Sequence, residues 1–359
     1  MIMRRILVFI FILYGTCLSA FSVPIWHDAS EFPLYGKISD ATASRYERLP
    51  GNLEAKCREP VWKLGQNSAG LYIRFRAETD TVYVRWTPKF DNHMYHMTDV
   101  GIKGLDLYYL TDDGWRFCRS ARPKGNGSVS KMKVGGEETE YLLYLPLYDG
   151  VSSLEIAVDE DGTIGQPLVK SPSAEKPVIM YGSSILQGGC ASRPGMAHTN
   201  ILSRKLDREV INLGFSGNGL IDYEIAELMA SHQDPGLFVL DYLPNPKAEV
   251  VDAKAEKFFR ILRDAHPDVP VVFIELPNYP RLSFDEEAKT DFLERNAAQR
   301  RLYEKLRKSG EKKIYYIKTG SMLGDDAEAT VDGTHFTDLG MLRYVEHVLP
   351  VIKKALRKK

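Results

Sequence analysis

Near residue 170 the chain changes rhythm, and no single layer architecture accommodates both halves. Before that point short segments rich in β-branched and aromatic residues follow one another: LYIRFR (71–76), TVYVRW (81–86), LDLYYL (105–110), EYLLYL (140–145) and SLEIAV (153–158). Several alternate apolar with polar residues, as half-buried strands do, and Gly, Asp and Asn punctuate the gaps. No amphipathic helix of useful length interrupts them. Many short strands with turn signals between them predict a sandwich or jelly roll over residues 23–168. A polar, proline-containing linker, VKSPSAEK (169–176), follows. Beyond it, VIMY (178–181), VINL (210–213), LFVL (237–240), VVFI (271–274) and IYYI (314–317) read as short buried strands. Helical stretches at 199–206, 223–229, 253–265, 286–308 and 339–356 separate or follow them. Strands alternating with helices predict a parallel sheet covered on both faces over residues 175–359. In such sheets ligands bind outside the carboxyl ends of the strands, which says where to look for chemistry.

The first twenty residues stand apart. Arg4 and Arg5 precede an uncharged apolar run over 6–14, and the small residues Gly15, Thr16, Ser19 and Ala20 follow. That order predicts a cleaved signal peptide over residues 1–20 and a secreted or periplasmic protein. The run is shorter than the roughly 20 residues that span a bilayer, so stable membrane insertion after cleavage is not expected. Cys17 raises lipid anchoring as an alternative, although Thr16 suits a lipobox poorly. Net charge is −1, from 47 Lys and Arg against 48 Asp and Glu, which argues against a nucleic-acid partner. Cys57, Cys118 and Cys190 remain in the mature chain; Cys57–Cys118 is the one pair that could bridge within the first half. No Cys–His cluster has zinc spacing, so no metal and no cofactor are expected.

Directly after the first strand of the second half comes Gly182-Ser183-Ser184-Ile185. A serine at a strand-to-helix turn has an exposed hydroxyl near backbone N–H groups. It needs an adjacent base to act as a nucleophile. Asp332-Gly333-Thr334-His335 stands before the last helix, and its carboxylate and imidazole, three residues apart, could serve Ser184. Each piece alone also reads as an ordinary turn.

Together the pieces resemble the SGNH/GDSL hydrolase superfamily. Gly182-Ser183-Ser184-Ile185 corresponds to its nucleophile block, and Asn212-Leu213-Gly214-Phe215-Ser216-Gly217-Asn218 to its glycine block. Asp241-Tyr242-Leu243-Pro244-Asn245 corresponds to the asparagine block, and Asp332-Gly333-Thr334-His335 to the last. Gly104-Leu105-Asp106-Leu107-Tyr108 matches the GxDLY signature of a β-domain found with one bacterial branch of these enzymes, and Ser192-Arg193-Pro194-Gly195 suits the same branch. The resemblance implies a flavodoxin-like three-layer α/β/α domain behind the sandwich. It implies Ser184, Asp332 and His335 as catalytic residues, and Ser184, Gly217 and Asn245 as oxyanion donors. The implied activity is carboxylic ester hydrolysis, with an acetylated polysaccharide or oligosaccharide as substrate. A carbohydrate-binding protein with an inactive hydrolase domain, or another short-chain ester or thioester hydrolase, are the alternatives. Two departures stand out: Ser183 replaces the usual Asp before the nucleophile, and Pro244 and Pro246 flank Asn245.

Other polar residues read more blandly. Arg193 and Gln187 could contact substrate or serve as ion-pair and capping groups. Asp338 reads as a helix cap, His198 as packing, and Asp106 and Tyr108 as structural. Trp62, Trp86 and Trp115 could stack on sugars, although core packing is the commoner fate of tryptophan in a sandwich.

Overall fold

The computed structural model describes residues 23–357 apart from residue 126. The expected signal peptide and the lipid-anchor candidate Cys17 lie outside the described residues. No helix among those described is long and apolar enough to cross a membrane.

Antiparallel strands dominate the first half. They are β1 (Ile25–Asp28), β2 (Leu34–Tyr35), β3 (Tyr72–Glu78), β4 (Thr81–Pro88), β5 (Leu105–Thr111), β6 (Gly114–Ala121), β7 (Ser128–Lys133), β8 (Thr139–Tyr144), β9 (Val151–Val158) and β10 (Thr163–Gly165). One sheet runs β1-β9-β4-β7; the other runs β10-β3-β8-β5-β6, with β2 added on β3. Period-two patterning makes the sandwich. In β4, Val82, Val84 and Trp86 are buried while Tyr83 and Arg85 point away. These residues meet Phe75, Leu107, Leu143 and Ile156 in a single core. The strands that sequence patterning did not reveal include β6 and β7, one edge of each sheet. Arg116, Arg119, Lys131 and Lys133 break their apolar pattern, and charge on an exposed edge guards against pairing with another chain.

The second half is a five-stranded parallel sheet of β11 (Ala174–Gly182), β12 (Arg208–Gly214), β13 (Leu237–Asp241), β14 (Val271–Ile274) and β15 (Ile314–Ile317). Its order is β12-β11-β13-β14-β15, the flavodoxin-like arrangement. Helices α4 (His198–Leu206), α5 (Tyr223–Ala230), α6 (Ala248–Ala265), α7 (Glu286–Lys308) and α8 (Asp338–Arg357) connect and cover it. A one-turn helix, α3 (Ser184–Gln187), follows β11 directly. Because the strand order reverses between β11 and β13, the connections that leave these two strands run in opposite directions, and a crevice opens at their carboxyl ends. There Gly182 pairs with Gly214 on one side and with Asp241 on the other.

The seam between the halves departs from a plain sandwich joined by a linker. Two short helices, α1 (Glu59–Gly65) and α2 (Asp99–Lys103), occur in the first half. Ile38, Leu49, Leu53, Val61, Trp62 and Ala69 pack into the core of the second half rather than that of the sandwich. Each fully buried side chain of this size contributes roughly 1.5–3 kcal/mol, so the two halves are welded rather than tethered. The packing also settles the cysteines. All three described thiols are free. Cys57 lies against the second core while Cys118 lies against the sandwich core, so the possible Cys57–Cys118 bridge does not form.

Candidate active site

Ser184 opens α3, where the first residues of a helix have no intrahelical carbonyl for their N–H groups. Ser183 caps this turn, its hydroxyl accepting from the Ile185 N–H at 3.3 Å. The residue that replaces the usual Asp thus still supplies a capping oxygen. Gly188 ends α3 at φ +119°, and a Cβ there would meet Leu147 at 2.9 Å. Glycine at this position lets the sandwich approach the turn that bears Ser184. The approach is fastened by two bonds: the Tyr148 hydroxyl donates to the Ser184 carbonyl at 3.0 Å, and the Gln187 amide donates to the Leu147 carbonyl at 3.1 Å. Gln187 is fully buried and its other amide atom accepts from the Ser216 N–H at 3.0 Å, so it braces the loops and cannot reach substrate.

The last block folds as a tight turn through Gly333 at φ +83°. Asp332 Oδ1 accepts from the backbone N–H groups of Thr334 (3.0 Å) and His335 (2.8 Å). Its Oδ2 lies 2.7 Å from His335 Nδ1. His335 Nε2 in turn lies 2.9 Å from Ser184 Oγ. Burial pushes the Asp332 carboxyl up, but the hydrogen bonds from His335 and the turn N–H groups hold it below its ordinary value overall. An ionised Asp332 fixes the imidazole with Nδ1 protonated and Nε2 free to accept from the serine. Hydroxyl, imidazole and carboxylate, separated by 151 and then 3 residues in sequence, form one bonded chain.

Gly217 lies in the β12–α5 loop at φ +65°, with open space where a Cβ would be. Among the described residues, no acceptor takes its N–H. Asn245 lies beyond β13, and its Oδ1 accepts from the Gly219 N–H at 2.9 Å, which leaves its NH2 group free to donate elsewhere. The two flanking prolines do not disturb this bond.

Two arginines of the first half hold the glycine block, and neither carries a motif that would have exposed its role. Arg48 is buried and donates to the carbonyls of Asn212 (3.0 Å), Gly214 (2.8 Å), Asn67 and Leu64. Burial pulls its pKa down to about 9. Arg58 donates to Asp222 at 2.8 Å and to the side chain and carbonyl of Asn218 at 2.9 Å each.

The GxDLY segment proves to be part of the same junction. Asp106 is fully buried and accepts from Arg193 (2.8 Å), the Gly195 N–H (2.8 Å) and Ser120 (2.7 Å). Arg193 also donates to the Tyr108 hydroxyl at 2.7 Å and lies 3.7 Å over the Phe117 ring. Arg193 therefore locks the halves together. Asp338 binds both the N–H and the hydroxyl of Ser192, tying the same loop to α8. His198 is wholly buried without a hydrogen-bond partner, and burial drops its pKa to about 3. Trp62 and Trp86 are core residues, and Trp115 donates to Ser171.

One feature escaped sequence reading altogether. His96, from the β4–α2 loop of the sandwich, has its ring 5.3 Å from that of His335. His96, Cys190 and His335 offer donor atoms within 4.8 Å of one another. Two imidazoles and a thiol are a donor set that zinc accepts. Both His335 nitrogens already face Ser184 and Asp332, so an ion there would compete with that chain. Burial also keeps the Cys190 thiol protonated, pushing its pKa up to about 12.

A family model described as GDSL-like lipase/acylhydrolase matches residues 175–353, and one described as the N-terminus of an SGNH-hydrolase-type esterase, GxDLY, matches residues 25–164. A putative GDSL-like lipase from Bacteroides ovatus is 37% identical, with a TM-score of 0.89 over 94% of this chain and 99% of that one. The chain belongs to the GDSL-like lipase/acylhydrolase family of SGNH hydrolases. It is a carboxylic ester hydrolase of the two-domain type that begins with a GxDLY β-domain. A salicylyl-acyltransferase from a tetracycline biosynthetic pathway shares the fold at a TM-score of 0.74 and 16% identity, covering 93% of this chain and 99% of that one. So does a family two carbohydrate esterase from Cellvibrio japonicus, at 0.59 and 13%, covering 93% and 98%. No curated protein matches the chain.

Proposed function

We propose that the protein is a secreted serine esterase that removes acetyl groups from a carbohydrate. His335 Nε2 takes the Ser184 proton as Ser184 Oγ bonds to the acyl carbon. The carbonyl π electrons move to oxygen, which the Ser184 N–H, the Gly217 N–H and the Asn245 NH2 receive. The tetrahedral intermediate collapses, the bond to the sugar oxygen breaks, and His335 hands its proton to that oxygen. Water then repeats the sequence on the acyl-serine, releasing the acid and restoring Ser184. The chain needs no cofactor for any of these steps. The observation that carries the reading is the continuous bonding from Ser184 through His335 to Asp332, at 2.9 and 2.7 Å.

The substrate rests on separate support. The family two carbohydrate esterase that shares the fold is named for carbohydrate esters, and the charged, apolar-run opening of residues 1–20 suits export to where glycans are met. p-Nitrophenyl acetate turnover should fall at least about 1,000-fold in Ser184→Ala. Equal turnover in the two proteins would remove Ser184 from the mechanism, and no turnover by either would favour a binding protein without activity. Acetate release from acetylated plant glycans, with deacetylated glycans as controls, tests the substrate class.

A further inference from the structure

We infer that Tyr95 and His96, on a loop of the β-domain, form the subsite for the sugar ring that leaves as the alcohol. The inference rests on the esterase reading above and specifies its substrate. Three rings lead from solvent to the base. Tyr95 is 91% exposed, and its ring centroid lies 4.4 Å from that of His96 at an interplanar angle of 30°. His96 lies 5.3 Å from His335. In ester cleavage the departing oxygen must end beside the imidazole that protonates it. The alcohol portion therefore lies on the His335 side, away from the oxyanion donors Gly217 and Asn245. Tyr95 and His96 occupy that side.

Their chemistry suits a sugar. Beyond its contact with His96 the Tyr95 ring faces water, and the C–H-rich face of a pyranose packs well on such a ring. His96 Nδ1 is buried and has no hydrogen-bond partner. Nδ1 is therefore closed to substrate as well as to solvent, and the partly exposed remainder of the His96 ring is what faces the sugar. The loop is built to hold these rings in place. Asp149, itself fully buried, accepts from the N–H groups of Phe90 (2.9 Å) and Asn92 (2.7 Å). Asn92 donates to the Tyr148 carbonyl at 2.8 Å, His93 pairs with Asp99 at 2.9 Å, and Lys103 pairs with Asp91 at 2.6 Å. A loop ordered before binding loses little entropy on receiving its ligand.

The test compares two esters on the full chain: p-nitrophenyl acetate, which has no sugar, and acetylated xylo-oligosaccharide. The readout is the ratio of kcat/KM for the sugar ester to that for the aryl ester. In Tyr95→Ala this ratio should fall about 10-fold, chiefly through KM on the sugar ester. Tyr95 is almost wholly exposed, so loss of fold does not cloud the result. His96→Gln should lower the same ratio, and His96→Phe, which keeps a flat ring between Tyr95 and His335, should recover part of it. A ratio equal to wild type in both Tyr95→Ala and His96→Gln overturns the subsite while leaving the esterase reading intact. Wild-type protein that hydrolyses neither ester overturns both.

Discussion

At the scale of single residues the site is a set of polar groups whose neighbours fix their protonation and direction. Asn245 shows this well: Gly219 holds its Oδ1, so the NH2 group points away from the bond that orients it. Asn245→Ala should lower kcat about 100–1,000-fold with little change in KM, because an oxyanion donor acts on charge that appears only in the transition state. A rise in KM alone, read from initial rates, would place Asn245 elsewhere. Asp241 gives a prediction of the opposite kind, in stability rather than rate. It is buried at the end of β13, where burial raises its carboxyl to about 7 while the Tyr344 hydroxyl donates to it at 2.6 Å. That value lies above the 3.8 of an ordinary aspartate, so the folded protein holds this proton more tightly than the unfolded chain does. The resulting stability is complete below about pH 4 and is lost progressively as pH rises to about 7. Asp241→Asn, which keeps an acceptor for Tyr344, should therefore gain on wild type in thermal unfolding between those values and hold a constant lead above them. Parallel melting curves at all pH values would show that Asp241 does not titrate in this way.

At the scale of elements, short connections add polar ties to the apolar core that the sandwich and the α/β sheet share. The β5 strand delivers Asp106 to Arg193, and the β8–β9 connection delivers Tyr148 to the turn that bears Ser184. Asp106→Ala removes the partner of a largely buried guanidinium along with a bond from Gly195. A loss of about 3–5 kcal/mol is expected for breaking one side of a buried pair. Thermal or urea unfolding should register it; a change under about 0.5 kcal/mol, the usual range of surface substitutions, would mean that Arg193 finds other partners. Most of the elements themselves were legible in the sequence. Their strands are short and strongly apolar, and the long helices α6, α7 and α8 carry clear periodicity. Edge strands β6 and β7 were not legible, since charge on a solvent-facing edge erases the alternation by which strands are recognised. Helix α2 was not legible either, being a single turn whose role is to face the second half.

At the scale of the whole molecule, the two halves share one core along residues 36–70, and the β-domain supplies Arg48, Arg58, Tyr148 and His96 to the neighbourhood of the site. The α/β half expressed alone, from residue 175 onward, would expose the surface that Leu49, Val61, Trp62, Leu147 and Tyr148 now cover. It should be poorly soluble or bind a hydrophobic dye strongly, whereas the full chain should unfold in one transition. A fragment that is monomeric, cooperative and dye-silent would show the weld to be dispensable. The local order of residues determined much by itself: two rhythms, a serine after the first parallel strand, and an Asp-Gly-Thr-His turn before the last helix, because periodicity and turn chemistry act over a few neighbours. Only the tertiary structure decided that Ser184 meets His335 across 151 residues, that Gln187 and Arg193 brace the halves, and that His96 of one domain stands beside His335 of the other. Those meetings depend on sheet order and on which buried faces match, and neither is written in any short stretch of chain.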